Sequence, residues 1–527
     1  MKVFADMSGN PSFESARKVN KALSKKINRA LVADGAAVAS ASAAPAEPRV
    51  INKFSPELPF NPQSTPEEYT DKFLDFMNTS PTVYHAVNYL SKELEQAGFQ
   101  KISERDSWSD IIPKGTKFYT TRNGSSLSAF VIGKNFKPGN GFGFIGAHID
   151  ALATKLKPFS IKEPVEGYNL LGVAPYASSL SGPTWWDRDL GIGGKVIVRD
   201  AKGAITSKLA HVPYPIARIP TLAPHFGLPQ NGPFNPETQQ VPIIGLVGEG
   251  EPDEPTEAEK KSPLFGKHSI KLLRVIAKNI GVAVEDILDF DLELFDTQFG
   301  TVGGLDKELL FCPRIDDKIC SYAALHGFLE SADVNKELGV VNVVALFDNE
   351  EVGSLSRQGA AGGLLESTVD RILAVYGSDD EDKRRTYANS FLVSADVIHA
   401  VNPNFVNVYL EHHKPKLNVG LTISCDPNGH MTTDSVSKSF VEEIARNTDN
   451  KLQYFQIRND SRSGGTIGPT LSSKTGMRSV DMGIPQLSMH SIRATTGSRD
   501  VWLGVKFFKA FYEEWEKTDA QYKLGDL

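Results

Sequence analysis

The sequence is poor in cysteine and lacks long apolar runs. Only Cys312, Cys320 and Cys425 occur among the 527 residues, and they do not have zinc-finger spacing. Such a sparse, odd-numbered set excludes a disulfide framework and indicates a chain that folds in a reducing compartment. No apolar run approaches the roughly 18 residues that a membrane-spanning helix needs, so we do not expect membrane insertion.

An excess of positive charge is also missing, except near the N-terminus. The net charge is −7, which argues against general nucleic-acid binding. Residues 1–50 nevertheless carry a charge of +4, whereas the remainder carries −11. Apolar residues recur at helical spacing over about 12–32, with Lys and Arg between them, and an Ala/Ser/Pro-rich linker follows. This pattern predicts a basic amphipathic helix.

We interpret residues 1–55 as a removable propeptide or targeting segment together with its linker. The long apolar core of a secretory signal peptide does not occur in this segment. An ordinary solvated tail and a mitochondrial transit peptide are the alternatives. The predicted helix also favours self-association or receptor binding.

Composition divides the rest of the chain into three parts. Residues 56–158 combine two apolar strands with two helical patterns, and Ser80 and Pro81 are predicted to cap and begin the second helix. In residues 159–304 frequent Pro and Gly predict an inserted β-rich domain, with EGEPDEPTEAEKK as a mobile acidic loop. Residues 305–527 alternate helical patterns with strand-like pieces, PQLSMHS among them. This organisation predicts an α/β fold, a mixed sheet sandwiched by helices, which the insertion interrupts.

The stretch GFGFIGAHID ends a strand-like run with a histidine and an aspartate. Since strand side chains alternate with a period of two, His148 and Asp150 are expected to point the same way. This arrangement suits an imidazole that binds a metal through one ring nitrogen while a carboxylate holds the other and fixes the tautomer. A His–Asp hydrogen bond without any metal explains the same tripeptide.

Acidic residues and a second histidine follow other strand-like segments or loops in a similar way. The segments are PRIDDK, VVNVVALFDNEEVGS, FLVSAD and PQLSMHS, and their candidate residues are Asp316, Asp317, Glu350, Glu351, Asp396 and His490. A single acidic residue after a strand is usually a helix cap or part of a solvated loop. Open α/β sheets, however, bind ligands outside the carboxyl ends of their strands, so these residues are expected to converge on one crevice.

The set as a whole suits two divalent cations. The candidate ligands are a bridging carboxylate from Asp316, terminal carboxylates from Glu351 and Asp396, and neutral imidazoles from His148 and His490. Two cations bring a charge of +4 and the three carboxylates bring −3, so the residual positive charge would acidify a bridging water and polarise a carbonyl group. Glu350 is then expected to act as the general base that passes the proton to the leaving amine. The spacing therefore predicts a two-metal hydrolase.

Six motifs of the chain, spread from about residue 65 to the end, match a known family in order and spacing. The chain resembles the aspartyl aminopeptidase and vacuolar aminopeptidase I family of metallopeptidases in AHIDALATKLKP, PRIDDK, DNEEVGS, VSADVIHAVNPN, RNDSRSGGTIGP and GIPQLSMHSIR. The resemblance implies the zinc-exopeptidase fold and a dinuclear enzyme that removes one residue from a peptide's N-terminus. It also implies a homo-oligomer, a tetrahedral dodecamer, in which the inserted β domain makes contacts between subunits.

The resemblance also assigns roles to individual residues. It implies two zinc ions per subunit, one bound by His148, Asp316 and Asp396 and the other by Asp316, Glu351 and His490. Asp150 resembles the carboxylate that orients the family's histidine ligand, and Glu350 resembles its general base. RIPTLAPHF resembles a motif whose histidine, here His225, reaches a neighbouring subunit's active site and contacts the scissile carbonyl oxygen. Because Pro224 stands where an aliphatic residue is expected, a purely structural role for His225 is the alternative.

The preferred substrate is predicted from a missing charge. Where the sequences align, the aspartyl branch places a lysine near Ser424 that pairs with an acidic N-terminal side chain, and His399 lies nearby. Ser424 cannot supply that charge, and a carboxylate that enters the pocket without a partner loses several kcal/mol. We therefore expect a preference for neutral, Leu-like N-terminal residues. An acidic-residue-specific enzyme is the alternative.

The motif SRSGGTIGP resembles the vacuolar branch more than the aspartyl branch. That branch comprises fungal enzymes that reach the vacuole from the cytoplasm by a selective autophagy-like route, using an N-terminal amphipathic propeptide. The resemblance implies a vacuolar enzyme whose N-terminal helix binds an autophagy receptor, and a cytoplasmic enzyme is the alternative. Two other classes stay open: another dinuclear amidase or carboxypeptidase, and a non-catalytic cargo or scaffold assembly.

Overall fold

A mixed sheet of nine strands forms the centre of the computed structural model. The structure describes residues 65–114, 116–227, 232–250 and 252–524, so the basic helix predicted at about 12–32 lies outside them. Across the described part, none of the helices combines the length and the apolar composition needed to cross a membrane.

Nine α-helices occur in the described residues. They are α1 (Pro66–Thr79), α2 (Val83–Gln96), α3 (Ile270–Ile280), α4 (Ile315–Asn335), α5 (Leu364–Val375), α6 (Asp380–Ala388), α7 (Ser435–Asn447), α8 (Ile467–Thr475) and α9 (Asp500–Asp519). The strands are β1 (Gln100–Lys101), β2 (Lys117–Arg122), β3 (Ser126–Ile132), β4 (Phe142–His148), β5 (Ala153–Ile161), β6 (Tyr168–Tyr176), β7 (Leu190–Arg199), β8 (Ile205–Ala217), β9 (Ile243–Leu246), β10 (Ile287–Asp296), β11 (Thr301–Gly303), β12 (Leu309–Pro313), β13 (Val341–Phe347), β14 (Phe391–Ala395), β15 (Ile398–His399), β16 (Thr422–Cys425), β17 (Gln453–Gln456), β18 (Arg478–Gly483), β19 (Pro485–Gln486) and β20 (Arg493–Gly497).

The middle of the large sheet is parallel. Its strand order is β1-β2-β3-β13-β4-β14-β18-β16-β17, and β13 and β14 both run parallel to β4, with β18 parallel to β14. Every residue of β4, β13 and β14 is buried, as expected for strands that helices cover on both faces. The carboxyl ends of these strands therefore meet at one edge of the sheet.

Alternating side chains divide the core between the two faces of the sheet. In β13, Val344 and Leu346 belong to the cluster that includes α1, α2, α4, α7 and α9, whereas Val343 and Ala345 belong to the cluster that includes α5 and α8. Burying one such aliphatic side chain contributes about 1.5–3 kcal/mol. The predicted α/β fold, with a mixed sheet between helices, is confirmed.

A second sheet of six strands lies between β4 and β11 in the sequence. Its order is β8-β7-β10-β5-β6-β9, and all neighbouring strands are antiparallel. The sheet has its own core, which includes Leu273 and Ile276 of α3. The inserted β-rich sheet expected from composition is therefore present.

The start of the second helix differs from its prediction. Ser80 and Pro81 do not cap and begin it, because α2 begins at Val83 and Thr82 is its N-cap residue. Ser80 is buried, and its carbonyl oxygen accepts a hydrogen bond from Lys318 Nζ at 2.9 Å. Ser80 therefore makes a tertiary contact with Lys318, although the Ser-Pro pattern predicts that it caps a helix.

The segment PQLSMHS is less strand-like than its sequence indicates. Only Pro485 and Gln486 form a strand, and Ser488 and His490 have positive φ angles. Positive φ is incompatible with an extended strand, so His490 projects from a loop.

The acidic segment before α3, which the composition predicts to be a mobile loop, is partly packed against that helix. In its described part, Arg274 of α3 ties it down: Nε lies 2.6 Å from Glu259 Oε1, and Nη1 donates to the carbonyl oxygen of Pro252 at 2.6 Å. The negative charges of this segment are thus partly used for packing against the inserted sheet's helix.

Candidate metal centre

The candidate site lies where the parallel strands end. β4 ends at His148, which stands opposite Phe347, the last residue of β13. Residues 348–351 follow β13, and Asp396 follows β14. The topology therefore brings residues that are far apart in sequence to one crevice.

His148 faces several carboxylates in this crevice. Its Nε2 atom lies 3.2 Å from Asp316 Oδ1, 3.5 Å from Asp396 Oδ1 and 3.9 Å from Glu350 Oε2. Burial lowers the pKa of His148, but the charge of Asp396 and the hydrogen-bonding carboxylates outweigh burial and raise the pKa well above its ordinary value. The surroundings of this imidazole therefore favour positive charge.

Asp316 connects this histidine with a second one. Its Oδ1 atom faces His148, whereas its Oδ2 atom lies 3.7 Å from His490 Nε2. The same nitrogen of His490 lies 4.0 Å from Glu351 Oε2. The His490 side chain is 54% exposed, so this side of the crevice is open to solvent.

Two groups of side chains are arranged so that each could hold a metal ion. They are His148, Asp317 and Asp396 in one group, and Asp316, Glu351 and His490 in the other. Within each group the possible ligand atoms lie within 4.8 Å of one another. Imidazole nitrogens and carboxylate oxygens are ligands that zinc accepts. The residues present thus fit neighbouring cations.

The first group differs from the one that the family resemblance implies. It contains Asp317 beside His148 and Asp396, whereas the resemblance places Asp316 there. The Asp317 side chain is fully buried, and among the described residues the weakly donating Cys320 thiol is the hydrogen-bonding group beside its oxygens. Burial, and then the charge of Asp396, raise the pKa of Asp317 well above its ordinary value. A buried carboxylate without a partner is costly unless a cation pairs with it. The motif PRIDDK contains the signal for Asp317, but spacing cannot rank two adjacent aspartates.

Asp150 contacts the other ring nitrogen of His148. Its Oδ1 atom lies 3.3 Å from His148 Nδ1. The carboxylate accepts hydrogen bonds from the backbone N–H groups of Glu350 (3.2 Å) and Glu351 (3.3 Å) and from the Tyr176 hydroxyl (2.6 Å). Burial opposes ionisation, but these contacts hold the pKa of Asp150 below its ordinary value. An ionised Asp150 therefore orients both the imidazole and the backbone of the two glutamates.

The adjacent glutamates both have perturbed side chains. Burial raises the pKa of Glu350 to about 8; the charge of His148 opposes this shift, and neighbouring carboxylates add to it. Burial and then Asp316 raise the pKa of Glu351 well above its ordinary value, and Glu351 Oε1 has no hydrogen-bond partner in the described part of the chain. A nearby cation would lower both pKa values. A carboxyl group that titrates near neutral pH suits proton transfer.

The candidate substrate-binding residues His399 and Ser424 both lie near the side chain or backbone of Phe455. Burial, and then the charge of His490, lower the pKa of His399. Ser424 is buried in β16 opposite Phe455 of β17. The ring of Phe455 lies 5.5 Å from that of His399.

His225 makes none of the crevice contacts described above among the described residues. It lies on the short 3-10 helix Pro224–Phe226, and its side chain is exposed. In the described residues no hydrogen bond or ion pair links it to the candidate ligands.

Comparison with known proteins identifies the family. Residues 76–512 match the family described as aminopeptidase I zinc metalloprotease (M18). The chain belongs to this family. The resemblance seen in the six motifs is thus confirmed, and the protein is a metalloaminopeptidase of the zinc metalloprotease class.

Two curated M18 relatives represent the two branches. Vacuolar aminopeptidase 1 of Saccharomyces cerevisiae is 52% identical over 472 residues, which cover 88% of this chain and 90% of that protein. Aspartyl aminopeptidase of Aspergillus oryzae is 41% identical over 478 residues, which cover 85% and 96%. The chain is therefore nearer to the vacuolar relative than to this aspartyl one.

Solved M18 structures share the fold. The structure of the Saccharomyces cerevisiae mApe1 dodecamer superposes with a TM-score of 0.79 at 47% identity, covering 87% of this chain and 99% of that chain. A chain from the Ape4 and Nbr1 complex superposes with a TM-score of 0.80 at 36% identity, covering 86% and 87%. These relatives show that M18 chains of this fold occur in a dodecamer and in a complex with another protein.

Proposed function

We propose that this protein is an aminopeptidase that uses two zinc ions per subunit to release single neutral, preferably Leu-like, residues from the N-termini of peptides. The observation that carries the proposal is the position of Asp316, whose two oxygens face His148 and His490. A carboxylate that two histidine-containing groups share suits a dinuclear site. Membership in a zinc metalloprotease family supports the choice of metal.

The proposed ligands divide between the two ions. His148, Asp316 and Asp396 bind one zinc, and Asp316, Glu351 and His490 bind the other. Among the described residues Glu351 Oε1 has no hydrogen-bond partner, which supports a ligand role for Glu351, since a buried carboxylate oxygen needs a donor or a cation. Asp317 adds negative charge beside the first ion.

The side chains around the ions divide the work of hydrolysis. Bound zinc supplies Lewis acidity toward the scissile carbonyl group and toward water. Glu350 accepts a proton from the water that attacks the carbonyl carbon, and it returns the proton to the amine nitrogen as the C–N bond breaks. The Asp150 carboxylate lies beside Nδ1 of His148, with 3.3 Å between Oδ1 and Nδ1, and favours the proton on Nδ1, so that Nε2 faces the crevice as a ligand atom.

The substrate preference follows from the side chain at position 424. The family resemblance places a lysine of the aspartyl branch near Ser424, which carries no charge, and the neighbouring Phe455 adds apolar surface near His399. An acidic N-terminal residue would therefore leave its carboxylate without a charged partner at this position, at a cost of several kcal/mol. The higher identity to the vacuolar relative supports the same choice. The 41% identity to an aspartyl aminopeptidase makes an acidic preference the second candidate.

We also propose a homo-dodecamer in which His225 of one subunit reaches the active site of its neighbour. The mApe1 dodecamer supports the assembly, and the exposure of His225 and of the adjacent Phe226, which is 71% exposed, supports the contact. His225→Ala should then lower kcat while light scattering shows an unchanged mass. A fully active His225→Ala enzyme would remove this role and leave the structural one.

The vacuolar relative supports delivery of this protein to the vacuole from the cytoplasm. The complex of Ape4 with Nbr1 supports a receptor as a partner, and we assign receptor binding to the basic N-terminal segment, which lies outside the described residues. Fractionation of tagged full-length and N-truncated protein tests this. A vacuolar full-length protein with a cytosolic truncated form is expected, and cytosolic distribution of both would contradict it.

Hydrolysis of Leu- and Asp-p-nitroanilide by the full-length enzyme tests the reaction. Leu cleavage should disappear on chelation, return with zinc and exceed Asp cleavage. Glu350→Gln should lower kcat by about 10²–10⁴-fold at unchanged zinc content, whereas Glu257→Gln, at a side chain that is 88% exposed, should have no effect. Faster Asp cleavage would favour the second candidate. Cleavage of N-blocked peptides would point to another amidase, and inactivity of zinc-loaded protein to a scaffold.

A further inference from the structure

A tyrosine of the inserted sheet reaches the metal centre. Tyr176 is the last residue of β6, pairs with Ala153 of β5 and is buried. Its hydroxyl donates a hydrogen bond to Asp150 Oδ2 at 2.6 Å and accepts one from Asn349 Nδ2 at 2.9 Å. Because the Asn349 amide is a donor, the tyrosine proton is directed to Asp150.

Asp150 has few other contacts that could hold its carboxylate. Its Oδ1 atom faces His148 Nδ1 and the N–H group of Glu350, at 3.3 and 3.2 Å. Besides the tyrosine, the described residues offer its Oδ2 atom one further hydrogen bond, from the N–H group of Glu351 at 3.3 Å. Within the described part of the chain, the bond from Tyr176 is thus the shortest that this carboxylate accepts, and without it Oδ2 keeps one long contact there.

The ring of Tyr176 is itself held in place. Lys155 Nζ lies 4.1 Å from the centroid of the ring, a cation–π contact within one sheet. Backbone pairing with β5 and the lysine hold the residue and its ring, and the Asn349 amide holds the hydroxyl. A hydroxyl fixed in this way can hold a carboxylate in one orientation.

We propose that Tyr176 is a positioning residue for the zinc site. Its hydroxyl orients Asp150, which in turn orients His148 and the backbone that carries Glu350 and Glu351. The inference rests on the proposed function and extends the site to the inserted sheet, outside the six motifs that carry the family resemblance. The inserted sheet thereby contributes to metal binding within its own subunit.

The test compares zinc binding by full-length Tyr176→Phe and wild-type protein. Phenylalanine fills the same volume, so only the hydroxyl is lost. Zinc competition with a chromophoric chelator should show binding weaker by about tenfold or more, as for outer partners of metal-binding histidines. At low zinc kcat should fall with KM unchanged, and excess zinc should restore kcat. Tyr119 of β2 donates its hydroxyl proton to Glu95 at 2.5 Å, away from the site. Its variant Tyr119→Phe should bind zinc as tightly as wild type does.

A double-variant cycle shows whether Tyr176 acts through Asp150. If it does, adding Tyr176→Phe to Asp150→Asn should weaken zinc binding no further. Independent, additive losses would overturn the inference, and so would a Tyr176→Phe protein that binds zinc as tightly as Tyr119→Phe. If the wild-type protein binds no zinc, the proposed function is overturned as well. If the wild type binds zinc normally and Tyr176→Phe has no effect, only the inference about Tyr176 is overturned.

Discussion

Gly483 packs against the main chain of Asp396 so closely that a Cβ atom at Gly483 would come within 1.6 Å of the Asp396 carbonyl oxygen. Gly483 ends β18, and Asp396 directly follows the neighbouring strand β14. Only a residue without a side chain allows this approach. The position of a proposed zinc ligand therefore depends on a glycine that makes no contact with metal itself.

We expect Gly483→Ala to displace Asp396. Because the obstacle is backbone, neither strand can relieve the overlap by a side-chain rotation, and overpacking of this kind costs about 1–3 kcal/mol. Zinc content and Leu-p-nitroanilide hydrolysis should both fall. Gly182→Ala, where a Cβ atom meets nothing within 4 Å, is the matched control. Normal zinc content in Gly483→Ala would contradict the dependence on this contact.

Ser424→Lys should move the substrate preference toward acidic N-terminal residues. The new ammonium group offers the charge that a substrate carboxylate lacks at this position, so the ratio of kcat/KM for Asp over Leu substrates should rise by about tenfold or more, equivalent to roughly 1.4 kcal/mol. Ser424→Met, which has similar bulk without charge, is the control. Equal ratios for the lysine and methionine variants would show that position 424 does not select the substrate by charge.

Arg493 should influence the retention of zinc at His490. Its Nη1 atom donates to the carbonyl oxygen of Gln298 at 2.7 Å and lies 3.4 Å from Asp296 Oδ2, which ties the segment after His490 to β10. Arg493→Gln should loosen this segment and weaken one zinc site by about tenfold. Dialysis against graded chelator followed by metal analysis measures this.

Arg446→Gln serves as the control for the loss of an arginine, because the Arg446 side chain is 66% exposed on α7. It should retain zinc as wild type does. If Arg493→Gln and wild type lose zinc at the same chelator concentration, the contacts of Arg493 with Asp296 and Gln298 do not help to hold His490.

A buried carboxyl group away from the site predicts a pH dependence of stability. Glu330 Oε2 lies 3.5 Å from Lys509 Nζ. Burial raises the pKa of Glu330 from 4.5 to about 7, while Lys509 opposes the shift and Glu513 adds to it. The folded state therefore binds this proton more tightly than the unfolded state. The contribution to stability is complete below about pH 4.5 and is lost as the pH rises through about 7.

Glu330→Gln should remove this dependence. Thermal unfolding between pH 5 and pH 8 should show a smaller decline in unfolding temperature for this variant than for wild type. Glu337→Gln, at a side chain that is 52% exposed, is the control. An identical decline for Glu330→Gln and wild type would contradict the raised pKa.

The strand-end residues of the site could be predicted because their signals are local. His148 and Asp396 each end or follow a short apolar run, and parallel strands must present such ends at one edge. The mixed sheet between helices was predictable for the same reason, since alternating strand and helix patterns leave few ways to bury both faces.

Other parts of the site depend on contacts between distant segments. Examples are the buried Asp317, the close approach at Gly483 and the hydroxyl of Tyr176. The role of each depends on residues that are distant in sequence and become neighbours only in the folded chain. Ser80 illustrates the same limit, because its carbonyl oxygen binds Lys318 where the local pattern predicts a helix cap. A sequence pattern can identify residues that share a position, such as the end of an apolar strand. It cannot identify residues whose role depends on one tertiary contact.

The most direct test of a dinuclear zinc aminopeptidase is stepwise zinc addition to chelated full-length protein, with Leu-p-nitroanilide hydrolysis followed at each step. The two candidate groups found among the described residues predict binding of two equivalents per subunit, with full activity reached only after the second. Full activity after one equivalent, or activity in chelated protein without zinc, would contradict it.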